Sequence, residues 1–474
     1  MVFSSFVFIL AFLPVTLLGY YLLTAFNRPY LQKYFLIAAS LFFYSYNGLH
    51  SLPLLLLSML VNYTAAKLIY RFEKASRRSL FIVAVIFNIL LLGYFKYAGF
   101  FVENFNFITG SSLKVDNIIL PLGISFFTFQ QISYLLSVYK SEQSPESFSD
   151  YCLYVTFFPK LIMGPLAEPS RLIAQFGEAA RFRFNAENFS SGIYIFCIGL
   201  FKKAFIADTI ALFVDNGFGL SSPGFTAAWV ISLSYTMQIY FDFSGYSDMA
   251  LGLGRMFNIE LPFNFLSPYR SVSIGQFWRR WHITLGHALS SYIYIPLGGS
   301  RRGLAHTCLN LFLTFMVSGL WHGASWTFVL WGAAHGLLMV FERIFASQLE
   351  KLPHKLRVLG TFFWVNLLWV LFRAESWSQA KAVYTGMFSF GNLAFSQLAT
   401  IAFDGNINFP NILDYAYVLG LLVCCILVVF LCKNSAEKLR SFKPCKAQLF
   451  AAVVMFCLSL LCMTRESVFI YFNF

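Results

Sequence analysis

Long uncharged, apolar segments separated by short polar ones recur along the whole chain. A helix needs about 20 mostly apolar residues to cross a bilayer, and many of these segments hold one or two such lengths. The segments are residues 1–27, 34–70, 79–95, 117–139, 188–201, 216–241, 303–341, 358–372, 415–432 and 447–464. They predict about 10 to 12 crossings. No Gly-, Ser- or Pro-rich linker separates them, so we expect one integral-membrane domain over residues 1–474.

Residues 241–303 break this pattern, because they are polar and charged yet rich in aromatic side chains. Polar backbone at membrane depth has to be buried in protein or line a water-filled cavity. We therefore expect short tilted or re-entrant helices here, covered by the flanking spans.

The composition points to the same class of protein. Of the 474 residues, 58% are hydrophobic and only 12% are charged, whereas a soluble domain is about 45–50% apolar and roughly 25% charged. A soluble enzyme and a disordered chain are excluded. The predicted fold class is an all-α polytopic membrane protein.

The formal net charge of +13 is typical of Lys and Arg gathered in cytoplasmic loops. We do not expect nucleic-acid binding, since the chain has no basic tail and no RNA-binding signature. Basic residues crowd into 71–78 and 433–446 but are absent from 382–432. Their alternation predicts that the N-terminus and the aromatic tail, residues 467–474, lie outside the membrane on the extracytoplasmic side.

His322 is an ionisable residue inside the uncharged run 303–341, in the sequence SGLWHGASW. Ionisable groups within a span are expensive and usually functional. Its small neighbours leave room for a substrate, and Trp321 and Trp326 are predicted to wall that space. The structural alternative is a histidine that only hydrogen-bonds a neighbouring helix.

His282 follows Arg279 and Arg280 in QFWRRWHITL. A functional histidine and an interfacial histidine beside a snorkelling basic pair are equally compatible with this pattern. His335 lies 13 residues after His322 and, on one continuous helix, would point to a different face.

The sequence does not predict a metal site or a bound cofactor. It contains no H-E-x-x-H motif, and its nine cysteines form no C-x-x-C. Asp242 and Asp248 in FDFSGYSD leave a Ser-His-Asp triad open, but the chain lacks a G-x-S-x-G elbow. The favoured interpretation is that these aspartates brace the polar segment by pairing with an arginine such as Arg255 or Arg279.

The chain ends in SVFIYFNF, which holds Tyr471 among three phenylalanines. One interpretation is an aromatic belt at the membrane interface. The other is a tail that presents the Tyr471 hydroxyl for chemistry.

Taken together, the motifs resemble the membrane-bound O-acyltransferases, in particular the bacterial branch that modifies cell-surface polysaccharides. The motifs are SLFFYSYNG, GYFKYAGFF, PLGISFFTFQQISY, FFPKLIMGPL, FDFSGYSDMALGLGRMF, FWRRWHITL, YIPLGGSR and GLWHGASWTFVLWGAAHG. The most specific feature is FWRRWH followed about forty residues later by LWHG. One departure is Ser137 to Lys140, where the family often carries an acidic residue in a sequence such as DVYR.

The resemblance implies an O-acetyltransferase of a bacterial inner membrane, with its helices around a central tunnel. His282 and His322 fall on the two histidines of the family, and His322 is the expected catalytic residue. The expected donor is a cytoplasmic thioester, acetyl-coenzyme A. The acetyl group would leave for an extracytoplasmic polysaccharide of the peptidoglycan or alginate type, with the help of a separate extracytoplasmic partner protein.

The resemblance also gives the remaining candidates a role. Trp321 would contact the substrate, and Tyr471 would carry the acyl group, since SVFIYFNF looks like the end of the companion peptide of the teichoic-acid D-alanylation system. The candidates for binding the phosphates of coenzyme A are Arg279, Arg280, Arg301 and Arg302. These arginines fit the positive-inside pattern equally well.

Two other functions stay open at this point. A member of the same family that acylates a lipid or a protein would use a long-chain donor. A transporter or flippase would explain the many spans without covalent chemistry, but it would not explain the histidine motifs.

Overall fold

The structure is a computed structural model that describes residues 1–26, 28–46, 48–115, 118–141, 144–403 and 412–463. These residues are helical or irregular and contain no β-strand, which confirms the predicted all-α class. The described residues divide into two compact units. The first comprises Met1–Ile198, Tyr246–Pro262 and Lys443–Val454, and the second comprises the described parts of 199–245, 263–442 and 455–474.

The α-helices follow one another with short connections. In chain order they are α1 (Leu13–Leu22), α2 (Pro29–Ser45), α3 (Leu52–Arg71), α4 (Lys74–Leu92), α5 (Ala98–Thr109), α6 (Ile124–Ser141), α7 (Phe148–Thr156), α8 (Phe158–Leu161), α9 (Pro169–Gly177), α10 (Ala186–Leu200), α11 (Asp208–Phe218), α12 (Phe225–Met256), α13 (Ile274–Trp278), α14 (Ile283–Leu289), α15 (Leu304–His322), α16 (Trp326–Ile344), α17 (Ala346–Leu349), α18 (His354–Arg373), α19 (Trp377–Met387), α20 (Gln397–Phe403), α21 (Ile412–Leu431), α22 (Ser435–Arg440) and α23 (Lys446–Cys462).

Six helical segments of the described chain are long and apolar enough to cross a membrane. They are Phe8–Phe26, Leu49–Arg71, Ala75–Thr109, Leu304–His322, Trp326–Ile344 and His354–Arg373. Two shorter apolar helices, Tyr415–Leu431 and Lys446–Cys462, add to them. Three of the predicted segments (117–139, 188–201 and 216–241) and the first part of a fourth (34–70) instead fall on α6, α10, α12 and α2, which are not among the six. The protein is a multi-pass membrane protein.

In the first unit, the apolar helices are joined by buried amides. Asn62 on α3 and Asn88 on α4 are fully buried, and each side-chain amide donates to the other's oxygen, at 3.2 and 2.6 Å. Inside a bilayer, helices gain little from hydrophobic burial, so such polar contacts and close packing hold them together.

In the second unit, α15 and α16 approach each other through glycines. A Cβ on Gly319 would lie 2.4 Å from the carbonyl oxygen of Phe328, and one on Gly332 would lie 2.5 Å from the carbonyl oxygen of Phe315. The two helices can therefore pack closely only without side chains at these positions. Since α15 ends in His322, this contact also fixes where that histidine lies.

Gly332→Ala is expected to destabilise the protein by about 1–3 kcal/mol, because the added methyl group overpacks the helix contact. The thermal unfolding midpoint of the purified protein in detergent measures this. Gly360→Ala on α18 is the matched control, because a Cβ there meets no heavy atom within 4 Å. Equal midpoints for the two variants would contradict the assigned role of the glycine contact.

The polar middle of the chain differs partly from expectation. Residues 241–256 continue the long helix α12, so the prediction of short helices is wrong for them. Beyond residue 267 the prediction is confirmed, since a 3₁₀ turn at Pro268–Arg270, the short helices α13 and α14, and a π-helical turn at Ser290–Tyr294 follow one another.

Candidate active site

His322 is the last residue of α15, and its side chain is only 3% exposed. The chain turns at Gly323, where a Cβ would lie 2.2 Å from the ring of Phe328. Only glycine therefore allows the chain to turn at this point without displacing that ring. The turn leaves the imidazole at the end of the helix, where it is not packed along the helix flank.

Aromatic rings surround His322. Its ring centroid lies 4.9 Å from Trp321, 5.2 Å from Trp331 and 5.0 Å from Phe372. We call these three residues the His322 ring cluster. The wall predicted from Trp321 and Trp326 is right for Trp321, which is buried, and wrong for Trp326, which is 60% exposed.

His282 lies directly before α14 in the left-handed backbone region, at φ 43° and ψ 51°. Histidine adopts this conformation more often than most residues, but it stays uncommon and clusters at functional sites. The side chain is 1% exposed. Neither ring nitrogen has a hydrogen-bond partner in the part of the chain that the structure describes.

Burial also sets the charge of His282. Loss of contact with water lowers its pKa to about 3, because the charged imidazolium is disfavoured away from solvent. At neutral pH the ring is therefore uncharged, with one nitrogen that can donate and one that can accept.

The two predicted histidines contact the same indole ring. Trp321 lies 6.2 Å from His282 and 4.9 Å from His322, measured between ring centroids. The distance between the centroids of the two imidazole rings therefore cannot exceed the sum of these two distances. Phe243 closes the other side of His282 at 4.8 Å.

His335 is a buried residue near this site that the sequence did not assign to it. The comparison of helix faces does not apply, because His322 ends α15 whereas His335 lies on α16. The ring of His335 contacts Trp331 at 4.8 Å, and its Nδ1 accepts a hydrogen bond from Trp278 Nε1 at 3.3 Å. The remaining histidines of the chain, His50, His287, His306 and His354, are exposed.

A carboxylate from α16 supports the segment that carries His282. Glu342 accepts hydrogen bonds from the backbone N–H groups of Ile274 and Gly275, the latter at 3.0 Å. These groups open α13 and have no partner within the helix. Nothing in the sequence links Glu342 to them, since they lie more than sixty residues apart.

Asp242 of FDFSGYSD pairs with a lysine, so the predicted arginine partner is wrong for this aspartate. Asp242 lies 2.7 Å from Lys203 Nζ, which also contacts Asp208 at 2.7 Å. Arg255 instead donates to neutral groups, Ser191 Oγ and Asn188 Oδ1.

The four predicted arginines are not buried. Arg279, Arg301 and Arg302 are exposed, and Arg280 is half-buried. Tyr471 and the tail 467–474 lie outside the described residues. Among the residues described, no group of three or more His, Cys, Asp or Glu side chains could hold a metal ion.

Comparison with known proteins identifies the family. Residues 124–372 match the model of the membrane-bound O-acyltransferase family, and this range is more than half of the chain. The chain belongs to the membrane-bound O-acyltransferase family. It is therefore an enzyme that transfers acyl groups to hydroxyl oxygens, and a transporter without covalent chemistry is no longer an alternative.

Individual members of the family resemble this O-acyltransferase over different lengths. A peptidoglycan O-acetyltransferase of Helicobacter pylori is 40% identical over 100% of this chain and 98% of its own. A probable alginate O-acetylase of Pseudomonas putida is 42% identical over 84% of this chain and 82% of its own. A teichoic acid D-alanyltransferase of Bacillus subtilis is 27% identical over 53% of this chain and 65% of its own.

The family match contains the histidines of this O-acyltransferase but not its tail. His282, His322 and His335 all lie within residues 124–372, whereas Tyr471 lies beyond them. The family match therefore bears on the predicted histidines, whereas the prediction for Tyr471 depends on the sequence of the tail alone.

Proposed function

We propose that this enzyme moves an acetyl group from cytoplasmic acetyl-coenzyme A to an extracytoplasmic polysaccharide. The observation that carries the proposal is the pair of buried histidines, His282 and His322, whose rings both contact Trp321. A site of this kind holds an acid–base group away from water, where a thioester is protected from hydrolysis.

Peptidoglycan is the acceptor we favour. The peptidoglycan O-acetyltransferase of Helicobacter pylori aligns with the whole chain, whereas the alginate O-acetylase of Pseudomonas putida leaves about a sixth of it unmatched. An alginate-type glycan is the second candidate, because the sequence of the alginate O-acetylase of Pseudomonas putida is about as similar to this chain over the part that it matches.

In the proposed mechanism, His322 acts as the general base. Its neutral ring removes the proton from an attacking hydroxyl, and the hydroxyl oxygen forms a bond to the thioester carbonyl carbon. The carbon–sulfur bond then breaks, and the proton passes from His322 to the departing thiolate. A base of this kind typically contributes about 10²–10⁴-fold to the rate.

His282 is the proposed partner at the thioester carbonyl. Its uncharged ring can donate one N–H to the oxygen that becomes negative in the transition state. The left-handed backbone and the two unused ring nitrogens support this role, because a buried polar ring without partners is costly unless a ligand supplies one.

The donor is proposed to reach the site from the cytoplasm. Arg279, Arg280, Arg301 and Arg302 would bind the phosphates of coenzyme A through charge-assisted hydrogen bonds. Arg279, Arg301 and Arg302 are exposed and therefore accessible to a soluble ligand, and Arg280 is half-buried.

Tyr471 is the proposed acyl carrier on the outer side. The charge pattern supports an extracytoplasmic tail, and the family resemblance supports a bacterial inner membrane. An acetyl group on the phenol would be an aryl ester, which is a reactive donor for a second, extracytoplasmic transferase. That partner protein would pass the acetyl group to the glycan.

Tyr471→Phe is expected to abolish acetylation of the glycan, because it removes the oxygen that carries the acetyl group and keeps the aromatic ring. Mass spectrometry of the C-terminal peptide, after incubation of the purified protein with acetyl-coenzyme A, should find the acetyl group on Tyr471 in the wild type. Phe472→Leu is the control, since it alters the tail but keeps the phenol. An unmodified Tyr471 in protein that still consumes acetyl-coenzyme A would rule out the relay and leave the transferase assignment standing.

A further inference from the structure

The hydrogen bond between Trp278 and His335 fixes the tautomer of the histidine. An indole N–H can only donate, so the Nδ1 atom of His335 must be the acceptor of the 3.3 Å contact. The proton of the neutral ring is then on Nε2. This assignment follows from the hydrogen-bond network, which is the usual basis for choosing a tautomer.

The Nε2–H group of His335 has no acceptor in the part of the chain that the structure describes. The side chain is fully buried, and Nε2 has no hydrogen-bond partner among the residues that the structure describes. Trp331 Nε1, on the neighbouring ring, is buried and lacks a described partner in the same way. Buried donors are almost always paired in native proteins, so two such donors on adjacent rings indicate that a ligand provides the acceptor.

These donors lie close to the proposed base. The ring of Trp331 contacts His322 at 5.2 Å and His335 at 4.8 Å. His335 and His322 thus contact the same indole ring, so they lie within the length of an extended acyl donor of each other.

The surroundings of His335 select a neutral ligand group. Its contacts are the rings of Trp278, Phe315 and Trp331. An anion in such surroundings would lose its hydration without gaining a countercharge. A carbonyl oxygen accepts hydrogen bonds at a far smaller cost.

We propose that His335 is a substrate-binding residue that donates its Nε2–H to a carbonyl oxygen of the acyl donor. The inference rests on the proposed function, since it takes the donor to be a thioester of coenzyme A. Such a donor has two kinds of carbonyl, the thioester carbonyl itself and the amide carbonyls of the arm that carries it.

Three substitutions at His335 separate substrate binding from structural support. In His335→Gln the amide N–H reaches the position of Nε2, so the donor to the substrate is kept. In His335→Asn the shorter amide reaches only the position of Nδ1, so it can accept from Trp278 but cannot donate to the substrate. His335→Phe keeps the ring volume but can neither accept a hydrogen bond from Trp278 nor donate one to the substrate.

We expect the Gln variant to retain most of the wild-type kcat/KM for acetyl-coenzyme A, and the Asn and Phe variants to lose about tenfold or more, the equivalent of one hydrogen bond. A rise in KM with unchanged kcat would assign the bond to an amide carbonyl, whereas a fall in kcat would assign it to the thioester. Binding of a non-transferable ketone analogue of acetyl-coenzyme A should follow the same order. Thermal unfolding midpoints show whether all three variants fold.

The inference is overturned if Asn retains more activity than Gln, since His335 would then only support Trp278. It is also overturned if His335→Phe matches the wild type. A wild-type protein that neither consumes nor binds acetyl-coenzyme A would instead overturn the proposed function, and this inference with it.

Discussion

His322→Ala is expected to reduce acetyl transfer by at least about 10²–10⁴-fold, the usual contribution of a general base. The reason is that the His322 ring cluster consists of Trp321, Trp331 and Phe372. Neither an indole, whose N–H only donates, nor a phenyl ring can take over the proton from the hydroxyl. The measurement is the initial rate of acetyl-coenzyme A consumption by the purified protein, with acetyl transfer followed in parallel.

His306→Ala is the matched control for this prediction. His306 lies on the same helix, α15, but its side chain is exposed, so its removal should leave the rate unchanged. His322→Gln keeps more of the buried volume and separates loss of the base from loss of packing. Full activity in a folded His322→Ala protein would remove His322 from the mechanism.

The position of His322 could be predicted from the sequence because it depends on local signals. An ionisable residue within an apolar run is rare enough to stand out, and the small residues beside it indicate close packing. Its aromatic neighbours were harder to predict. A turn at residues 323–325 makes Trp326 the first residue of a new helix, so that Trp326 is exposed and Trp331, for which no role was predicted, contacts His322.

The contacts that join distant parts of the chain could not be predicted in this way. The left-handed backbone of His282 has no signature in QFWRRWHITL, and Glu342 reaches the start of α13 from a helix far along the chain. The partner of Asp242 was predicted among the arginines because they are near in sequence. The structure instead selects Lys203, since helix packing and not sequence distance brings the two charges together.

The Lys203 contacts form a buried ionic network. The side chain of Lys203 is 5% exposed, and those of Asp242 and Asp208 are 2% and 12% exposed. Charges in such a place are tolerated because the ammonium group of Lys203 contacts the carboxylates of both aspartates. Removal of the shared cation therefore leaves two carboxylates together in a region that is largely closed to water.

Lys203→Met is expected to destabilise the protein by about 3–5 kcal/mol, the usual cost of removing one partner of a buried ion pair. Lys160→Met is the matched control. Lys160 is also fully buried, but it donates to the neutral Gln130 Oε1 and lies over the ring of Tyr154 at 4.0 Å.

The control substitution also removes a buried lysine, whose pKa burial lowers well below its usual value, but it leaves no opposite charge behind among the described residues, so we expect a much smaller change in stability. Unfolding of both variants in mixed micelles compares them directly. Adding Asp242→Asn to Lys203→Met should restore part of the loss, because it removes one of the two carboxylates that Lys203 contacts. Equal destabilisation by Lys203→Met and Lys160→Met, without rescue by Asp242→Asn, would mean that packing of the lysine side chain stabilises this region and that its charge does not.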